Sequence, residues 1–199
     1  MGFGCHAFIS PPRTSAKQSR HLCSPITSRL QFFVKRNPSR LFRFARKHGK
    51  AFDRVCEKFG ITELNKHQKE AITQIVQRKT DVFINLPTGF GKSLIYQALP
   101  LVCDTVRGTT GHIVVVSPLV NLMKDQVGKL VNIGIPAVTL SDISEDNMKA
   151  VERGAFSVVY GSPEAWLKND RWRKMLASDL YRKKLCAIAV DEAHVVKQW

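Results

Sequence analysis

A glycine-rich segment that begins at Leu86 has the composition of a phosphate-binding loop. It reads LPTGFGKS over residues 86–93, after an apolar stretch and before an amphipathic one. Glycines allow backbone N–H groups to turn toward phosphate oxygens, and the start of a helix adds partial positive charge. Lys92 would then reach the β- and γ-phosphates, and the Ser93 hydroxyl would bind Mg²⁺. The strict motif has Gly where Leu86 stands, so a strand-to-helix turn without a ligand is the structural alternative.

Two adjacent acids follow the last apolar run of the chain. Residues 185–190 read LCAIAV and lead into Asp191, Glu192, Ala193 and His194. A carboxylate at the carboxyl end of a parallel strand faces the crevice where ligands bind. Asp191 could hold Mg²⁺, mostly through water, and Glu192 could orient and deprotonate an attacking water. Two acids after a strand also suit a helix N-terminus, but their combination with the phosphate loop favours a nucleotide-hydrolysing site.

Two further strand ends share the order strand, Ser, Pro, helix. The first is Ser117-Pro118-Leu119 and the second is Ser162-Pro163-Glu164. The pattern predicts a Ser N-cap followed by Pro in the first helical turn. A hydroxyl and free N–H groups at a helix start could equally hold a nucleic-acid phosphate. The residues alone favour neither role.

A capping box is predicted upstream of the phosphate loop. Asn65 would cap a helix and Gln68 would occupy its third position. A contact between Gln68 and a ligand is compatible with that role.

Short apolar runs alternate with amphipathic stretches from about residue 52 onward. Alternation of this kind predicts right-handed βαβ units and an α/β fold with a mostly parallel sheet. The predicted strands are 81–86, 112–116, 137–140, 156–160 and 186–190. The predicted helices are 66–78, 92–103, 118–132, 144–153 and 163–180, the last one broken near Asn169.

The positive charge of the chain is concentrated before this region. The 199 residues carry a formal net charge of +15, and eleven Lys or Arg precede the first acid, Asp53. The remaining 20 basic and 16 acidic residues give only +4, which weakens any inference from overall charge to nucleic-acid binding. We therefore predict a basic, disordered leader over residues 1–51 and one domain over residues 52–199. An acid-free, Arg- and Ser-rich N-terminus is also typical of an organelle transit peptide or a weak nuclear-localisation patch.

Cysteine usage and hydropathy favour a soluble protein from a reducing compartment. The five cysteines are scattered, without a CxxC pair or a zinc-ligand spacing, so neither zinc nor a disulfide framework is expected. No apolar run approaches the roughly 20 residues of a membrane helix, so no membrane association is expected.

Taken together, these segments resemble the RecQ family of superfamily-two DNA helicases. The matching stretches occur in the family's order and cover residues 59–199: 59–68, 86–97 (LPTGFGKSLIYQ), 115–127 (VVSPLVNLMKDQV), 159–164 (VYGSPE) and 189–199 (AVDEAHVVKQW). The phosphate loop and the DEAH box occur in many helicases, whereas SPLVNLMKDQ and the final Gln-Trp are more specific to RecQ proteins. Leu86 fits this family, whose phosphate loops often lack the first Gly.

The resemblance implies a RecA-like, ATP-dependent DNA helicase with 3′-5′ polarity, a nuclear location and a role in DNA repair and recombination; the basic N-terminus leaves a mitochondrial location open. ATP and Mg²⁺ are the implied cofactors, and single-stranded or forked DNA is the implied partner; the oligomeric state stays open. Gln68 would read adenine, and His194 would couple hydrolysis to the DNA site. Nucleotide contacts are implied for Pro87, Thr88, Gly89, Phe90, Gly91, Lys92 and Ser93. Contacts near single-stranded DNA are implied for Ser117, Pro118, Leu119, Lys124, Ser162, Pro163 and Glu164.

The sequence departs from the family at several of these positions. Phe90 stands where the family usually has Gly, and Asn65 where it has Arg, which puts loop freedom and adenine recognition in question. The family also continues past Trp199, with a strand between the phosphate-loop strand and the DEAH strand and then a second domain with an arginine finger. Without that strand we expect a gap in the sheet, whose backbone groups must find other partners. The alternative function is an ATP- or nucleic-acid-binding fragment with little or no turnover.

Overall fold

The computed structural model describes residues 5–11, 38–87 and 89–192. Its strands are β1 (Cys5–Ser10), β2 (Val82–Leu86), β3 (His112–Val116), β4 (Ala137–Thr139), β5 (Val158–Gly161) and β6 (Leu185–Asp191). Its helices are α1 (Pro38–Phe59), α2 (Lys66–Thr73), α3 (Lys92–Arg107), α4 (Val120–Asn132), α5 (Glu145–Glu152), α6 (Pro163–Lys168), α7 (Asp170–Ala177) and α8 (Asp179–Lys184). The strands form one sheet in the order β2-β1-β6-β3-β5-β4.

The predicted α/β class is confirmed. Strands β6, β3, β5 and β4 pair in parallel, and the predicted strands and helices form with small shifts of their ends, except that the last predicted helix, 163–180, has a second, unpredicted break at Ser178, whose side chain caps α8. The predicted helix over 66–78 continues α2 with a π-helical segment, Gln74–Arg78. The predicted break near Asn169 is also present, because its side chain accepts from the N–H of Arg171 and so caps a new helix, α7.

Separate groups of helices cover the two faces of the sheet. Ile113 and Val115 of β3 pack in a core with residues of α1 to α4, whereas Val114 packs in a second core with residues of α5 to α8. Because successive strand residues point to opposite faces, a strand that is apolar throughout must be covered on both sides. The helices on both faces of β3 therefore follow directly from its sequence HIVVV.

Strand β1 lies between the phosphate-loop strand and the strand that ends at Asp191. It pairs antiparallel with both, so that Cys5 lies opposite Leu86 and Ala7 lies opposite Asp191. Ala7 and Ile9 are fully buried. The gap that the sequence predicted at this position is thus filled by a segment from the N-terminus.

The prediction of a disordered leader over residues 1–51 differs from the structure in two places. Cys5–Ser10 form a central strand, because their uncharged, partly apolar sequence supplies buried side chains and backbone groups to both neighbours. Helix α1 begins at Pro38, before the predicted boundary, and Ala51 and Val55 on it are fully buried. The rest of the predicted leader, residues 1–4 and 12–37, lies outside the described residues, and the boundary at residue 52 stays a prediction.

A search of the described residues for membrane-spanning helices found none of sufficient length and apolarity.

Candidate nucleotide and nucleic-acid site

The phosphate loop joins β2 to α3 with the backbone geometry that its glycines allow. Gly89 and Gly91 have φ values of 87° and 73°, in the left-handed region that other residues rarely adopt. Phe90 lies outside that region and its side chain is 54% exposed. A side chain at this position therefore strains neither the loop nor its neighbours. Thr88 lies outside the described residues.

Lys92 opens helix α3 directly behind the loop. Its side chain is 9% exposed, and its ammonium donates to the carbonyl oxygens of Leu86 at 2.9 Å and Pro87 at 3.1 Å. These two hydrogen bonds hold the lysine side chain over the loop. Its ammonium therefore lies near the loop N–H groups and the start of α3, where an anion would bind. The loop thus has the parts that phosphate binding requires.

Asp191 reaches the same edge of the sheet at the end of β6. It is 6% exposed, and it accepts from the Tyr96 hydroxyl at 2.9 Å and from the N–H of Glu192 at 3.1 Å. Burial raises the pKa of this carboxyl, while the Tyr96 hydrogen bond opposes that rise. Glu192 has a φ of 53°, a conformation that costs a non-glycine residue about 1–2 kcal/mol. The backbone is therefore strained next to the carboxylate that the sequence assigned to the metal.

Tyr96 connects the two halves of the candidate site. This fully buried residue lies one helical turn after Ser93 on α3, and its hydroxyl donates to Asp191 at 2.9 Å. Burial raises the pKa of its hydroxyl well above the usual value, so it is a neutral donor to the carboxylate. Ser93 and Asp191 were both predicted to bind Mg²⁺, and the Tyr96 hydrogen bond ties the helix that carries Ser93 to Asp191.

The predicted capping box at the start of α2 is confirmed. The Asn65 side chain accepts from the N–H of Gln68, and the Gln68 side chain accepts from the N–H of Asn65, both at 2.9 Å. The amide nitrogen of Gln68 also donates to the carbonyl of Gly91 at 3.2 Å. Gln68 therefore lies against the phosphate loop, and its contact with adenine stays a prediction.

The prediction of a Ser N-cap is wrong at Ser117. Helix α4 begins three residues later, at Val120, after an extended Leu119 with φ −101° and ψ 94°. The N–H of Ser117 instead extends the sheet by donating to the carbonyl of Gly161 at 3.0 Å. Its hydroxyl is buried and has no hydrogen-bond partner among the described residues.

Ser162 does form the predicted cap. Its side chain accepts from the N–H of Ala165 at 3.2 Å, and Pro163 occupies the first turn of α6. Glu164 in the same turn has a lowered pKa, chiefly through its own backbone N–H and the Ser162 hydroxyl. Because Val116 lies opposite both Gly161 and Val190, the ends of β5, β3 and β6 lie side by side.

The remaining predicted nucleic-acid contacts lie on the same edge. Pro118 is half-buried and Leu119 is 51% exposed. The ammonium of Lys124 on α4 donates to Asp142 at 2.9 Å, with the two side chains 50% and 83% exposed. An ion pair this exposed contributes about 0–1 kcal/mol, so a phosphate could replace Asp142 at little cost.

Comparison with known protein families matches residues 65–199 to the DEAD/DEAH box helicase family. The chain belongs to this family.

Similar curated proteins include several DNA helicases. The chain is 37% identical to ATP-dependent helicase SGS1 of Saccharomyces cerevisiae over 151 residues, which are 73% of this chain and 10% of that protein. It is 38% identical to ATP-dependent DNA helicase hus2/rqh1 of Schizosaccharomyces pombe, over 71% of this chain and 11% of that protein. It is 33% identical to ATP-dependent DNA helicase RecQ of Bacillus subtilis, over 71% of this chain and 23% of that protein. The resemblance to RecQ helicases is confirmed, and the chain spans a tenth to a quarter of the length of these relatives.

In this DEAD/DEAH box chain, sequence reasoning overlooked four polar residues behind the site. Tyr96 and Gln97 were assigned only to the interior of a helix, and Gln126 and Tyr160 only to a helix and a strand. Three of them are polar residues at buried positions: Tyr96 is fully buried, and Gln97 and Tyr160 are 6% and 1% exposed. Ala193 and His194, the second half of the DEAH box, lie outside the described residues.

Proposed function

We propose that this chain forms the nucleotide-binding part of a RecQ-like, ATP-dependent DNA helicase, in which ATP hydrolysis is coupled to single-stranded DNA binding. One observation carries the proposal: Tyr96, one helical turn after Ser93 of the phosphate loop, donates its hydroxyl hydrogen to Asp191 of the DEAH box at 2.9 Å. Residues far apart in the sequence thus meet where a nucleotide-hydrolysing site needs them.

Phosphate binding would use the loop backbone and Lys92. The left-handed Gly89 and Gly91 let the loop N–H groups converge at the start of α3, where the helix dipole favours an anion. Lys92 would exchange its loop carbonyls for phosphate oxygens, which are stronger acceptors because they are charged. Gln68, held against Gly91, would contact the base.

The oxygens of Ser93 and Asp191 suit Mg²⁺, which prefers hard oxygen ligands and keeps several waters. The position of Tyr96, one turn after Ser93 and hydrogen-bonded to Asp191, supports a fit to one ion. When bound, Mg²⁺ neutralises charge on the β- and γ-phosphates. Glu192, next in the chain, would orient and deprotonate the attacking water.

DNA would cross the neighbouring strand ends. Ser117 and Ser162 follow the ends of β3 and β5, and Lys124 lies in the first half of α4. Their hydroxyls and ammonium would be the phosphate partners. Single-stranded or forked DNA, 3′-5′ unwinding, a role in repair and recombination, and a nuclear location are carried by the family resemblance. The basic N-terminus supports mitochondria as the alternative location.

Binding of a fluorescent ATP analogue with Mg²⁺ tests this function in the 199-residue chain. Lys92→Ala should weaken binding about tenfold or more, because a hydrogen bond to a charged group contributes about 1.5–3 kcal/mol. Arg107→Ala, at the opposite end of α3, is the matched control and should bind like the wild type. Equal affinity of the wild type and Lys92→Ala would refute the assignment.

ATP hydrolysis with and without single-stranded DNA then separates an enzyme from a binding fragment. DNA-stimulated turnover that is lost in Lys92→Ala would identify a working ATPase. Nucleotide binding without turnover above that control would favour the alternative, a binding fragment.

A further inference from the structure

A line of side chains joined by hydrogen bonds and one ring contact leads from the DEAH carboxylate into helix α4. The Tyr96 hydroxyl donates to Asp191 at 2.9 Å, and the rings of Tyr96 and Tyr160 meet edge to face with centroids 6.5 Å apart. The Gln97 amide nitrogen donates both to the Tyr160 hydroxyl at 2.8 Å and to the Gln126 carbonyl oxygen at 2.7 Å. The line therefore runs through β6, α3, β5 and α4.

Two hydrogen-bonded groups meet at the tyrosine rings. Tyr96 donates its hydroxyl hydrogen to Asp191, while the Gln97 amide donates one N–H to the Tyr160 hydroxyl and the other to Gln126. The edge-to-face contact of the Tyr96 and Tyr160 rings joins the two groups. Hydrogen bonds that share a donor group polarise one another, so a change at Gln126 alters the bond between Gln97 and Tyr160. A displacement of Tyr160 is then passed to Tyr96 through the packing of the two rings.

The burial of these groups makes their arrangement specific. Tyr96 is fully buried, and Tyr160 and Gln97 are 1% and 6% exposed. A buried polar group without a partner costs about 1–3 kcal/mol, so each member depends on its neighbours. Gln126 is half-buried and lies two residues from Lys124, on the helix that follows Ser117 and Leu119. A shift of α4 would therefore break or lengthen the contact between Gln97 and Gln126.

We propose that Tyr96, Gln97, Gln126 and Tyr160 form a coupling relay, through which DNA contact at α4 positions Asp191 for the nucleotide-bound metal. Tyr96 and Gln126 are positioning residues in this proposal, since they act on the nucleotide through Asp191. The relay rests on the proposed function, because it links the ATP site to the DNA site.

The affinity of a fluorescent ATP analogue, measured with Mg²⁺ in the absence and presence of oligothymidylate, tests the relay in the 199-residue chain. The ratio of the two affinities is the coupling factor, and for the wild type we expect about fivefold or more, within the usual range for coupled sites. Tyr96→Phe and Gln126→Met should bring this factor close to one. Gln126→Glu should retain it, because a carboxylate oxygen can still accept from Gln97.

Tyr181→Phe is the matched control for Tyr96→Phe. Tyr181 is also fully buried, and its hydroxyl donates to the carbonyl of Val151 at 2.6 Å, in the core on the opposite face of the sheet. It should lower the melting temperature about as much as Tyr96→Phe and leave the coupling factor unchanged. If Tyr96→Phe does not fold, the pair Gln126→Met and Gln126→Glu decides the question.

Three results would overturn the relay: a wild type without coupling, an unchanged factor in folded Tyr96→Phe or Gln126→Met, or an equal loss in Tyr181→Phe. Lys92→Ala distinguishes this failure from failure of the proposed function. If the relay fails but Lys92→Ala weakens nucleotide binding, the ATP site is supported and only the relay is rejected. If Lys92→Ala does not weaken nucleotide binding, the proposed function itself is rejected.

Discussion

Gly91 lies where the phosphate loop meets α3, and two features of its surroundings exclude a side chain. Its φ of 73° is unfavourable for any residue with a Cβ atom, and a Cβ built there would lie 2.5 Å from the amide nitrogen of Gln68. Gly89 shares the first feature, with φ 87°, but apart from its chain neighbours no described residue has an atom within 4 Å of such a Cβ. Comparing substitutions at the two glycines therefore separates the effect of backbone strain from the effect of contact with Gln68.

We predict that Gly91→Ala and Gly89→Ala both lower the free energy of unfolding by about 1–2 kcal/mol, the cost of a left-handed backbone with a side chain. Gly91→Ala should in addition displace Gln68 and reduce the preference for ATP over GTP. Urea denaturation measures the first effect, and competition of ATP and GTP against a fluorescent nucleotide measures the second. An equal change of preference in both variants would show that Gln68 does not read the base.

The phosphate loop and the DEAH box were predictable because their chemistry restricts the residue types. Few other loops need two glycines followed by Lys92 and Ser93. The Ser-Pro pattern is less restrictive, since it gives a helix cap at Ser162 but a sheet-extending residue at Ser117. The choice depends on the neighbouring strand, which no local pattern contains.

At the scale of elements, β1 also shows that local sequence patterns do not reveal which strands pair. Its six residues, CHAFIS, pair with strands that are distant in the sequence, and a basic, proline-rich stretch follows them. The strands and helices between 66 and 190 were predictable because their apolar periodicity is local. Pairing across the sheet is not local, so composition alone indicated a leader where the sheet has a central strand.

Ile9→Ala tests whether β1 belongs to the core. Ile9 is fully buried, so its truncation should lower the free energy of unfolding by about 2–5 kcal/mol. Phe83→Ala on the adjacent strand is the control, because Phe83 is 62% exposed; it should cost about 1 kcal/mol or less. Urea denaturation followed by the fluorescence of Trp166 and Trp172 measures both. A negligible effect of Ile9→Ala would exclude β1 from the sheet.

At the scale of the whole molecule, most of the net positive charge lies in a different part of the sequence from the candidate site. Eleven basic residues precede Asp53, whereas the remainder carries a net charge of only +4. Six of the eleven fall between residues 12 and 37, after β1 and before α1. Their replacement would leave both elements intact, which a deletion of residues 1–50 would not.

We predict that single-stranded DNA still binds weakly after these six residues are changed to Gln: Arg13, Lys17, Arg20, Arg29, Lys35 and Arg36. The remaining dependence of log affinity on log salt should be shallow, since each neutralised phosphate contributes about −0.7 to that slope. In this background Lys124→Ala should reduce the slope by about 0.7, because its ammonium lies on the candidate DNA edge.

Lys129→Ala is the matched control for that measurement. Lys129 lies on the same helix and is also paired with an acid, Asp125, at 2.7 Å, while Lys124 is paired with Asp142 at 2.9 Å. Only Lys124 is predicted to exchange its acid for a phosphate, so Lys129→Ala should leave the slope unchanged. Fluorescence anisotropy of a labelled oligothymidylate at several salt concentrations measures all variants. Complete loss of binding in the six-Gln background would mean that the N-terminal charges act as a nonspecific polycation and that the strand ends do not bind DNA.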